Sequence, residues 1–229
     1  MKTQYLVNTP QAVEFVNGMM SRTVLNARLG NIDGIPGVSD SVNQLKDLMS
    51  STAQKISALA GDASRTLEAQ HAAAATLTER VSKEVRKVGE QIAAKGHDLQ
   101  LEGADLANEA FAPRPGYGHL DAEIRGYLRE AVKSPSGLSE VAEMAKKDAA
   151  IAGIIYHSPH YLIGVPKSIH EKWQANAVIN HVPKAATMVE QGSTLIELAK
   201  KYEGVVRDAY QSFHSPQLAE KYAKTRVEV

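Results

Sequence analysis

Four histidines are the residues of this chain whose chemistry could be put to use. His157 and His160 stand on either side of Ser158-Pro159, while His170 and His181 lie on or beside the next helix, with Glu171 adjacent. Paired imidazoles with a nearby carboxylate make a zinc donor set. The His-Glu-x-x-His pattern that would put two imidazoles on one helix face is absent, however, and helix breaks separate these pairs. The plainer reading is that His157, His160, His170 and His181 satisfy backbone groups at loops and helix ends. On that reading no metal and no cofactor is expected. No serine, histidine and acid form a nucleophile motif, so the chain is not expected to be an enzyme.

The elements that must position these rings are helices. No window shows sustained period-two alternation of β-branched residues, and prolines open four of the expected helices, at Pro10, Pro166, Pro183 and Pro216. The fold class is therefore all-α, with a long coiled-coil-like N-terminal helical region and a small C-terminal helical domain. Four segments follow: an N-terminal helix and glycine-rich loop over 1–40, a long helical region over 41–112, a Pro/Gly hinge over 113–118, and a helical domain over 119–229. The glycines of the 30–40 loop could suggest a phosphate loop, but no Gly-Lys-Ser/Thr follows and no strand precedes them.

The long region carries the strongest pattern. Gly89, Ile92, Gly96, Leu99, Gly103, Leu106 and Ala110 fall at alternating steps of three and four, a heptad seam of tiny and large aliphatic residues. Leu45, Met49, Thr52, Ile56, Leu59, Ala63, Thr66, Gln70, Ala73 and Leu77 keep similar steps earlier. Between the two halves, Leu77, Val81, Val85 and Val88 make a stutter. Each interior glycine costs about 1 kcal/mol relative to alanine, and close approach of a second backbone would repay that loss. The seam from Gly89 to Ala110 is thus an expected interface, either with another helix of this chain or with a second copy. A break is expected at Gly61-Asp62, where an N-cap residue follows the glycine.

In the C-terminal part, helices are expected over about 120–132, 138–157, 166–180 and 183–213, with a last short one from Pro216. Trp173 falls at core spacing and reads as a packing anchor. Ile124, Tyr127, Leu128 and Ala131 are expected to point inward.

Composition narrows the function classes. Lys+Arg and Asp+Glu are 26 each, so the net charge is zero, and the basic surplus of a dedicated nucleic-acid binder is missing. There is no cysteine, which removes disulfides and thiolate metal sites. No stretch reads as a secretory signal or approaches the ~20 apolar residues of a bilayer span. The reading is of a chain made soluble, with no membrane partner expected.

The segment from Ala149 to Ala186, AAIAGIIYHSPHYLIGVPKSIHEKW and then His181-Val182-Pro183, resembles the C-terminal part of small helical proteins encoded by bacteriophages and prophages. In those an alanine-rich helix runs into a Pro-x-x-Leu-Ser-Gly-Leu turn, then a helix, a proline and a last helix. Here the turn is Pro159 to Val165, with Ile163 in place of the usual serine. The resemblance implies a phage-encoded helical protein associated with a virion and carries over no catalytic residue. The leading expectation is a non-enzymatic structural or interaction protein that meets itself or another helical protein. The alternatives are a metal- or small-molecule-binding domain using the histidines, and a membrane-active helical protein.

Overall fold

A computed structural model describes residues 5–225, all in helices and connecting loops with no strand among them. The helices are α1 (Pro10–Met19), α2 (Arg22–Leu29), α3 (Ser39–Ala60), α4 (Leu67–Ala110), α5 (Gly118–Ala131), α6 (Gly137–Lys147), α7 (Ala149–His157), α8 (His160–Ile163), α9 (Lys167–His181), α10 (Pro183–Phe213) and α11 (Pro216–Thr225). The chain divides into two compact units, Met1–Lys95 with Thr194–Val229, and Gly96–Ser193. The Pro/Gly segment 113–118 is the loop between α4 and α5 and lies inside the second unit. The long helices α4 and α10 each contribute to both.

The first unit starts with a cap. The Thr9 hydroxyl accepts from the Ala12 N–H at 3.3 Å, and Pro10 occupies the first helical position. The one N-terminal helix expected to open at Pro10 is two, because the backbone turns extended at Ser21 and α2 folds back on α1. Gly18 permits this: a Cβ there would lie 3.0 Å from Val24 Cγ1. The long region is likewise two helices, α3 and α4. Asp62 holds their connection by accepting from the Ser64 N–H (3.0 Å), the Ser64 hydroxyl (2.6 Å) and Arg65 Nε (3.1 Å). Those bonds hold its carboxyl below the usual carboxylate range. Thr66 then caps α4 by accepting from the Ala69 N–H at 3.3 Å.

Phe15, Met19, Leu25, Leu29, Val42, Met49, Ile56, Val85, Tyr202 and Phe213 are all buried in this unit. Phe15 and Phe213 stack with ring centres 5.4 Å apart, and the Arg28 guanidinium covers Phe15 while pairing with Asp208 at 2.9 Å. Tyr202 donates its hydroxyl to the Leu29 carbonyl at 2.9 Å, closing the end of α2, and burial pushes that phenol above its ordinary value. Lys46 is the odd member, 1 % exposed with no carboxylate within ion-pair distance among the described residues. Burial and then the Arg22 charge lower its affinity for a proton.

The second unit packs α5 to α9 around Leu128, Val141, Ile155, Ile163 and Trp173. Trp173 is buried in that cluster. The helix expected over 138–157 breaks at Asp148, whose backbone is extended and whose carboxylate accepts from the Ala150 N–H at 2.8 Å and the Ile151 N–H at 3.3 Å. An N-cap inside an apolar pattern outweighs the pattern here. Tyr127, expected inward, is 59 % exposed. Only Leu128 of α5 is fully buried, so this helix lies at the margin of its core.

Candidate functional site

The seam on α4 is buried from Gly89 to Gly103, and α10 of the same chain covers its glycines. In the first unit a Cβ on Gly89 would come 3.2 Å from Tyr202 Cβ. In the second, a Cβ on Gly103 would sit 2.8 Å from Val189 Cγ2 and 2.9 Å from the Ala185 carbonyl oxygen, and one on Gly192 would overlap the Gly96 carbonyl oxygen. Gly96 opposite Gly192 and Gly103 opposite Ala185 make the pairing antiparallel. Gln100 Nε2 ties it by donating to the Ser193 hydroxyl at 2.9 Å. Since α10 fills this face, the alternative in which a second copy fills it is displaced.

The heptad holds only part of the way. Gly89, Ile92, Gly96, Leu99 and Gly103 are buried, but Leu106 is half-buried and Ala110 exposed. Ala107 and Phe111 take the inward positions instead, 2 % and 5 % exposed. A straight α-helix drifts about 20° per heptad against a seven-residue repeat. Three heptads beyond Gly89 the drift amounts to most of one residue step, so the buried stripe passes from position 110 to 111. Phe111 there meets Tyr156 with ring centres 4.9 Å apart, over Ala152 and Ala177.

The four histidines divide by task. His170 Nε2–H donates to the Ile155 carbonyl at 2.9 Å, and His181 Nε2–H to the Ala145 carbonyl at 2.7 Å. Both acceptors lie in the last turn of a helix, α7 and α6, where carbonyls have no partner within the helix. Gln174 Nε2 does the same for the Tyr156 carbonyl at 2.7 Å. His160 Nδ1–H donates to the Val165 carbonyl at 3.1 Å. His157 is exposed, its ring edge-on to Tyr156. Only His160 and His170 approach each other, with ring centres 6.5 Å apart. Among the described residues no three His, Cys, Asp or Glu side chains are grouped to hold a metal ion. His181→Ala is expected to destabilise the second unit by about 1 kcal/mol, the net worth of one hydrogen bond. His157→Asn should change the denaturation midpoint negligibly, and urea unfolding of the two variants measures the difference.

Sequence reasoning missed a second histidine pair, in the first unit. His71 on α4 and His214 after α10 are 1 % and 5 % exposed. The Ser215 N–H donates to His71 Nδ1 at 2.9 Å, and Thr78 Oγ1 lies 3.3 Å from His214 Nδ1. Thr78 gives its own proton to the Ala74 carbonyl at 2.8 Å, so its oxygen accepts from the His214 ring. Burial lowers the proton affinity of both imidazoles; Glu68 partly opposes this at His71, and His71 adds to it at His214. The two residues are far apart in sequence, and no local spacing pairs them.

Among the described residues no helix is long and apolar enough to cross a membrane. Compared with protein-family models, curated proteins and solved structures, the chain matches none.

Proposed function

We propose that this chain is a non-enzymatic helical structural or interaction protein. The observation that carries the reading is the backbone contact between α4 and α10, where Gly96, Gly103 and Gly192 sacrifice helix propensity for close approach. Such packing favours stiffness, and a stiff helix pair serves a scaffold more directly than a reaction. The internal histidines fit the same economy, since their rings hold helix ends. A second copy or another helical protein is the proposed partner. It would meet apolar side chains left outside the seam, such as Leu101 and Ile179, which are 65 % and 56 % exposed. The resemblance of Ala149–Ala186 to phage-encoded helical proteins makes a virion the proposed setting.

Light scattering of the purified chain over a wide range of concentration, with elemental analysis of the same sample, tests the reading. Reversible self-association without stoichiometric metal is the expected result. A monomer at every concentration that carries one metal ion per chain would overturn it.

A further inference from the structure

The second unit contains a groove of about 590 Å³ between the end of α4, the 112–118 loop, α5 and α7. That volume lies within the ~300–1,000 Å³ of small-molecule sites. Its walls divide by chemistry. Phe111, Gly153, Ile154 and Leu162 supply an apolar floor, while Arg114, Arg125 and His157 bring cationic or protonatable groups to the same space. Asp121 is the one carboxylate among the lining residues, so two guanidiniums outnumber it.

The arginines are free for a ligand. Neither the Arg114 nor the Arg125 guanidinium has an ion-pair or hydrogen-bond partner among the described residues; the one bond of Arg114 outside a helix is its backbone carbonyl accepting from the Tyr117 N–H at 3.2 Å. The Arg114 guanidinium is instead stacked over the Tyr117 ring at 4.6 Å. Stacking fixes the plane of a guanidinium and leaves its N–H edges available, the geometry that takes an oxyanion bidentately. Two further groups have the same character. Ser158 lines the groove at 5 % exposure, and its hydroxyl has no partner among the described residues. Gly118, also on the lining, begins α5, a 14-residue helix whose N-terminus has no side-chain cap. The neighbouring α7 differs, because Asp148 occupies its N-terminal donors.

We infer that this groove binds a small organic phosphomonoester, its phosphate between Arg114 and Arg125 and its apolar body over Phe111 and Leu162. The dianion matches the surplus of donors and positive charge. The apolar floor requires more than phosphate alone. Ser158 and the first N–H groups of α5 supply hydrogen bonds that a simple charge patch lacks. This site lies at the far end of the α4 stripe, beyond the glycine contacts with α10, and does not depend on the scaffold reading.

Calorimetric titration of the full chain with phenyl phosphate, and separately with inorganic phosphate, tests the inference. Phenyl phosphate is expected to bind at a single site at least about tenfold more tightly than phosphate. The double variant R114Q/R125Q should weaken it by about tenfold or more, with the circular-dichroism melting curve unchanged because neither arginine holds the fold together. R114Q alone should give an intermediate loss, which keeps the test available if the double variant folds poorly. No saturable heat with phenyl phosphate up to about 10 mM, equal affinity for the two anions, or unchanged binding by R114Q would each overturn the assignment.

Discussion

Gly192→Leu is expected to destabilise the second unit by about 3 kcal/mol, the upper end of the usual overpacking range. Helix propensity alone predicts the opposite, a gain of up to ~1 kcal/mol for replacing a mid-helix glycine. Packing decides the sign. A Cβ at position 192 would overlap the Gly96 carbonyl oxygen and stand 3.2 Å from the Gln100 backbone nitrogen, so backbone rather than a movable side chain opposes it. Gly103→Leu should behave alike, because the Ala185 carbonyl oxygen blocks it at 2.9 Å. Gly126 supplies the control. It lies within α5 with nothing near its absent Cβ, so Gly126→Ala should stabilise by up to about 1 kcal/mol. Urea unfolding of the three variants reads all these effects. Gly192→Leu and Gly103→Leu melting above the parent chain would mean that α4 and α10 are not in backbone contact.

The seam was legible because its signal is local. Glycines recurring at heptad spacing among in-phase aliphatics state that something approaches closely, and the helix class follows from the same periodicity. What approaches is not stated, since the glycine of α10 that opposes Gly96 lies almost a hundred residues further along. The breaks at Ser21 and Asp148 are hidden in the sequence. Apolar spacing continues through both positions and masks the local N-cap at Asp148, whose carboxylate accepts from N–H groups two and three residues on, while the tight fit of Val24 on Gly18 is made only after the chain turns back. The groove at Arg114 and Arg125 collects residues from α4, the 112–118 loop, α5, α7 and α8, and its arginines look in sequence like ordinary surface charges.

Stability of the first unit is expected to fall as the pH drops below about 6.5, the ordinary imidazole value, because of His71 and His214. Both are buried, and burial depresses their proton affinity in the folded state. The unfolded chain therefore binds more protons than the native one in this window, and stability rises with pH across it. The contribution is complete above the unfolded value and is lost as the pH falls toward the depressed native one. The slope can reach about 1.4 kcal/mol per pH unit for each histidine. Geometry gives each proton its consequence. Protonating His71 at Nδ1 removes the acceptor of the Ser215 N–H at the start of α11. A second charge on His214 would then stand near the first, with the Thr78 hydroxyl and the Tyr210 ring beside it. Glu68 opposes the effect at His71, yet it is already paired with Lys221 of α11 at 2.9 Å. The depressed carboxyls of Asp62 and Glu68 also lose stability in acid, but only below their ordinary values of 3.8 and 4.5, beneath the histidine window. Urea midpoints measured between pH 8 and pH 5 should be level at first and then decline. The double variant H71Q/H214Q should flatten the decline, because glutamine can accept the Ser215 N–H without titrating. A midpoint that stays level through pH 5 in the parent chain would show that these imidazoles are not held neutral by the fold.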